Sequence, residues 1–140
     1  MKTYCDSEDV LNTLQILFDW FIKRTIGIDG MALLLNSNII ARSEISEEKF
    51  DTTVIASLLA NLSETTTDTL GDNISLYYVN LITQNTNGEL QAWTIVYPYK
   101  NYKLIFSGKI DIEEQSVDQA TVLSYVRDIV PFIKSYDNLT

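Results

Sequence analysis

Gly30-Met31-Ala32-Leu33-Leu34-Leu35-Asn36-Ser37-Asn38-Ile39-Ile40-Ala41-Arg42-Ser43 is the stretch whose reading decides the fold. Met31 to Leu35 is an unbroken apolar run of strand length, with none of the alternation of a half-buried strand. Such a strand must be covered on both faces. Asn36-Ser37-Asn38 is a turn cluster, and Ile39 to Ile45 returns as a second strand. A sheet with helices on both sides is the economical solution.

Upstream, Ser7 to Arg24 has the period of a helix. Asp6 or Ser7 can cap it, and Glu8 and Asp9 suit the positive end of its dipole. Val10, Leu14, Leu17, Phe18 and Phe21 share one stripe, flanked by Leu11 and Ile22. Ile16 and Trp20 lie on a different side, one turn apart, and form a small apolar pair available for a partner contact. Gly27, Asp29 and Gly30 then break the helix.

Downstream, Ser46 is an N-cap for a second helix, with Glu47 and Glu48 in its first turn. Phe50, Val54, Leu58 and Leu62 form its inner stripe. Thr53, Ala56, Ser57 and Ala60 make an opposite face of small residues, which lets another helix approach closely. The pattern fades through the polar, Thr-rich Glu64 to Asp68.

Three strands are then expected, about Ile74 to Thr83, Leu90 to Tyr97 and Tyr102 to Ile110. Asn87-Gly88 and Pro98 to Asn101 make the turns between them. In the first of these strands Leu76, Tyr78, Asn80 and Ile82 point one way, and Tyr77, Val79 and Leu81 the other. Both faces are largely apolar, a hazard at a sheet edge unless a partner covers it. Leu76, Tyr77, Tyr78, Val79 and Leu81, with the small face of helix two, are therefore the predicted dimer interface. Val79→Pro is expected to remove a ladder donor and either dissociate or unfold the protein.

A last helix opens at the capping box Ser116 to Gln119. Val117, Tyr125, Ile129 and Phe132 are its core stripe, with Val122, Val126 and Ile133 flanking it; Pro131 should kink the final turn or two, and Asp137 to Thr140 should fray. The order is α-β-β-α-β-β-β-α. It gives an α/β (α+β) sandwich with a central five-stranded antiparallel sheet, as one domain over residues 1–140.

Chemistry is sparse. The chain has no histidine and one cysteine, Cys5, so no metal, cofactor or catalytic residue is assigned. No phosphate-binding glycine motif is present. A net charge of −9 with scattered Lys and Arg disfavours nucleic acid and an anionic membrane. No leader is visible and no apolar run approaches the ~18 residues of a spanning helix, so a cytoplasmic location is expected. Arg42 is read as structural.

From Gly30 to Ser43, and in its full element order, the chain resembles the roadblock/LC7 superfamily, whose archaeal members are often lone domains like this one. One departure is Asn38, where the family's turn usually carries Gly; Asn also accepts positive φ. The resemblance implies a non-catalytic dimer, with third strands joined into one sheet and Ala56 and Ala60 where the second helices meet. It further implies an adaptor that binds or regulates a small Ras-like GTPase, paired with itself or with another roadblock or longin domain. Two other readings are a longin-type trafficking domain, against which the leading helix argues, and a PAS- or GAF-like small-molecule sensor.

Overall fold

The computed structural model describes residues 6–36, 38–43, 52–71, 73–84, 86–110 and 119–140, with residues 52–60 and 109–110 described by their backbone only. The elements are α1 (Ser7–Arg24), β1 (Gly30–Leu35), β2 (Asn38–Arg42), α2 (Thr52–Leu70), β3 (Tyr78–Gln84), β4 (Leu90–Tyr99), β5 (Tyr102–Ile110) and α3 (Gln119–Leu139). They form a five-stranded antiparallel sheet in the order β2-β1-β5-β4-β3.

Alternation along the strands sorts side chains to two faces. Met31, Leu33, Leu104 and Phe106 meet Phe18 and Phe21 of α1 and Val126 and Ile129 of α3 in the larger core. Ala32, Leu34, Ile95 and Ile105 point to the other face, where Leu62 of α2 packs with Val79, Leu81 and Tyr97. Met31 to Leu34 are fully buried, as the unbroken apolar run requires.

Asp6 caps α1 through a reciprocal box: Asp9 N–H donates to Asp6 Oδ1 (2.9 Å) and Asp6 N–H to Asp9 Oδ2 (3.2 Å). The sequence-level boundaries need correction elsewhere. β2 ends at Arg42, and among the described residues of the first hairpin it is Asn36 that has positive φ (55°), with Asn38 already in the strand. Lys103 Nζ–H₃⁺ donates to the Asn36 carbonyl (2.9 Å) and braces that turn.

α2 continues through the threonine-rich segment to Leu70. There the hydroxyls of Thr66 and Thr67 turn inward onto the carbonyls of Leu62 (2.8 Å) and Ser63 (3.1 Å), so they do not compete with the helix. Gly71, at φ 100°, ends it. The Ser46 cap and the Ser116 cap lie outside the described residues.

β4 runs on to Tyr99, and the turn contracts to Lys100-Asn101, with Lys100 at φ 43°. Between Val96 and Tyr99 the β4–β5 register shifts, and Pro98, which has no N–H, sits in that irregularity. β3 accordingly starts at Tyr78, not Ile74; the Ile74 amide turns back to Gly71 O (3.3 Å).

In α3 the buried stripe is Val122, Val126, Ile129 and Ile133. Tyr125 stands at the rim, stacked on Phe21 (3.9 Å between ring centroids) with its hydroxyl bonded to that of Thr25. A phenol needs a polar partner, so the branched aliphatics take the interior. Asp137 to Leu139 are helical, and Pro131 lies inside the helix without ending it.

The end of α3 is anchored because Asp137 accepts from Lys100 (2.8 Å) and from the Tyr102 hydroxyl (3.2 Å). The Lys100 bond, first, and the Tyr102 bond hold the Asp137 carboxyl below its ordinary pKa of 3.8 against an opposing desolvation. Burial, with Asp137 adding, pushes the Tyr102 hydroxyl up to about 12. A lowered carboxylate pKa stabilises the folded state fully above the ordinary value, and that stabilisation is lost as pH falls through the lowered one. Asp137→Asn is therefore expected to lower Tm at neutral pH, with the gap closing as the pH drops below 3.8. Melting curves of both proteins across that range check this; a gap that persists in acid would contradict it.

Candidate interaction surfaces

The strand order leaves β2 and β3 at the sheet edges, and the two are built differently. β2 has five residues, ends in Arg42 and is paired to β1 with an irregularity at Leu33/Leu34. Short length, charge and bulges are the devices that blunt an edge. β3 pairs with β4 in unbroken register from Tyr78↔Val96 to Gln84↔Leu90 and contains no charge and no proline.

The Tyr97 amide donates to Tyr77 O (2.8 Å), so the polar groups of Tyr77 face β4. By strand alternation the N–H and C=O groups of Tyr78, Asn80 and Ile82 face the open edge. Val79 and Leu81 pack toward the α2 side and Tyr78 toward the α1–α3 core. Ile82 is 66% exposed. Burial pushes the Tyr97 hydroxyl pKa up, with Ser63 of α2 nearby offsetting this in part, and that hydroxyl has no hydrogen-bond partner among the described residues.

Of the residues assigned to the interface from sequence, Tyr78, Val79 and Leu81 therefore lie on the edge strand. Leu76 and Tyr77 precede it, a consequence of the β4 irregularity. Tyr77 is half-exposed and borders a groove of about 470 Å³ along α3, lined by Leu123, Val126, Val130 and Pro131. Thr53, Ala56, Ser57 and Ala60 fall in the first half of α2, and their side chains are outside the described residues. Asn80 and Ile82 were not assigned, although the edge backbone belongs to them; the alternation of hydrogen-bonding sides, fixed by the Tyr77–Tyr97 pair, is the signal that finds them.

The second surface is on α1. Ile16 is 70% and Trp20 50% exposed, and the Arg24 guanidinium lies 4.2 Å from the Trp20 ring centroid. That cation lies over the indole face, so the patch joins an aliphatic, an aromatic and a positive charge. Ile26, also exposed, follows just beyond the helix end.

No group of three or more His, Cys, Asp or Glu converges for a metal ion among the described residues. No helix among them is long and apolar enough to cross a membrane.

No family model matches the chain, and no curated protein matches it. Solved structures do. A roadblock/LC7 domain from Streptomyces avermitilis superposes with a TM-score of 0.61 at 12% identity, covering 86% of this chain and 97% of that one. The chain has the roadblock/LC7 fold. Myxococcus xanthus MglB gives 0.60 at 13% identity over 100% of this chain and 97% of its own. An MglB with a tetrameric arrangement gives 0.61 at 9% identity, covering 91% and 92%. At such identities the likeness is one of fold, and it spans both of the surfaces described above.

Proposed function

We propose that the chain is a non-catalytic, dimeric adaptor, one domain over residues 1–140, that binds or regulates a small Ras-like GTPase. The observation that carries this reading is a β3 edge, in a roadblock/LC7 fold, that no other strand among the described residues pairs with. Self-pairing is the simplest use of such an edge, with another roadblock or longin domain as the alternative mate. The tetrameric arrangement of one MglB neighbour supports assembly as the mode of action. The absence of histidine and of a phosphate-binding loop supports a role without turnover of its own.

A small-molecule sensor is less well supported. The depression bounded by Asn80, Ile82, Thr94 and Gly108 holds about 80 Å³. The groove beside Tyr77, at about 470 Å³, reaches the roughly 300–1,000 Å³ of typical ligand sites but is a surface groove along α3 lined mainly by aliphatic side chains, without the convergent polar groups that orient a ligand.

The GTPase reading is tested by titrating the chain with Ras-like GTPases from the same source, in GDP and GTP-analogue states. Binding is expected in at least one state and should weaken as salt rises, because a chain of net charge −9 favours a basic partner surface. Trp20→Ala is expected to reduce affinity about tenfold or more, in the range of a central aromatic contact. If no GTPase binds in either state and a small molecule copurifies, the sensor reading replaces this one.

A further inference from the structure

We infer that the sheet face between α3 and β3 is a docking groove for an amphipathic helix of a partner protein, with an acidic side chain of that helix set against Arg127. The groove is separate from the edge backbone of β3 and from the α1 patch, so it stands or falls apart from the GTPase reading.

α1 packs over β1 and β2, and α3 over β4. Two helices, each about 10 Å across, span about four strands at a spacing of about 4.8 Å. β3 is the fifth. On this face it presents Tyr78, which packs toward the α1–α3 core, and by alternation Asn80 and Ile82, both exposed. Two depressions lie between these residues and α3. The one of about 80 Å³ joins Asn80 and Ile82 to Val122. The one of about 470 Å³ runs from Tyr77 along Leu123, Val126, Val130 and Pro131. α3 therefore passes from Val122 to Pro131 as β3 passes from Ile82 back to Tyr77, and the depressions succeed one another along one strip. At about 1.5 Å per helical residue and about 3.3 Å per strand residue, the strip is roughly 14–17 Å long. That is about ten residues of helix.

The chemistry of the strip selects its occupant. Its floor is the face of a sheet, whose N–H and C=O groups lie in plane and cannot pair with a chain laid on top. α3 spends its backbone groups within the helix, and Pro131 has no N–H. An extended segment would bury its polar backbone unmatched against aliphatic side chains, whereas a helix satisfies its own and packs beside α3 at the usual separation of about 8–10 Å. Among the described residues lining the two depressions, Arg127 is the one that carries charge, and it is exposed. A wholly apolar helix would strip water from that guanidinium without return, and a carboxylate matches its fork of donors. A second copy of this chain fits poorly. Its exposed helical pair, Ile16 and Trp20, lies beside Arg24 and would bring cation to cation.

The test uses a synthetic Ala- and Gln-based peptide of about 15 residues, long enough to form a helix, with Leu at i, i+4, i+7 and i+11 and one central Glu. Titrated into the isotopically labelled chain, it should shift the amide resonances of Tyr77, Ile82 and Leu123 to Val130 and leave those of Ile16 and Trp20 in place. Replacing its Glu by Lys should weaken binding about tenfold, and Arg127→Glu should reverse that preference. A version with two central prolines, which cannot be helical, should not bind. Four results each overturn the proposal: no shifts with the Glu peptide, shifts confined to the α1 patch, equal affinity for Glu and Lys peptides in both proteins, or undiminished binding of the proline version.

Discussion

Gly108→Ala is expected to destabilise the fold by about 3 kcal/mol, the upper range for overpacking a rigid site. A Cβ at Gly108 would stand 1.8 Å from Gly27 O and 3.0 Å from Gly27 C, both backbone atoms that cannot rotate away. The loop carrying them is pinned to β5 itself: the Asp29 amide donates to Ser107 O (2.8 Å), and Ser107 Oγ–H to Asp29 Oδ1 (2.7 Å). Gly27 is at φ 97°, so the close approach uses two glycines, one for space and one for conformation. Relief requires moving the link between α1 and β1, and with it the buried Ile28 and Met31. Denaturant titration should give a lower midpoint with an unchanged slope. A variant within about 0.5 kcal/mol of the parent, the range of an ordinary surface change, would contradict this.

Val79→Pro and Ile82→Pro are expected to have opposite consequences, although the two residues are three apart in one strand. The N–H of Val79 faces β4, opposite Ile95, which is buried. Proline there removes a ladder bond, and the orphaned carbonyl alone costs about 1–3 kcal/mol, before any displacement by the ring. Val79→Pro should therefore damage the monomer. The N–H of Ile82 faces the open edge, where proline is tolerated. Ile82→Pro should keep its circular dichroism spectrum and a cooperative melt, yet lose self-association more than tenfold. Equal damage to folding from both substitutions would show that the edge assignment is wrong.

Much of the fold was legible because its signals are local. The Met31 to Leu35 run demanded two covered faces, and the Asp6 cap and the Tyr102 to Ile110 strand appear where the residues place them. The misjudged boundaries depend on distant partners. Thr66 and Thr67 read as helix-weakening until their hydroxyls find carbonyls one turn back. Asp137 reads as a fraying end until Lys100 and Tyr102 arrive from a turn thirty-odd residues away. Tyr125 reads as core because periodicity does not see that its hydroxyl needs Thr25.

The candidate surfaces divide in the same way. Ile16 and Trp20 are exposed as their place on the α1 wheel requires, but the Arg24 cover on Trp20 depends on rotamers that periodicity does not encode. The apolar character of both faces of β3 was readable. Its position at the edge follows from the strand order, and the roles of Asn80 and Ile82 follow from which side of the strand bonds to β4.

The mass of the unmodified chain in solution tests the central claim most directly, because an open, uncharged, unbulged β3 edge should not remain unpaired. Sedimentation equilibrium at micromolar concentration should return twice the 15.9 kDa chain mass, shifting toward 15.9 kDa in Ile82→Pro. A folded species of 15.9 kDa for the unmodified chain throughout that range would contradict it.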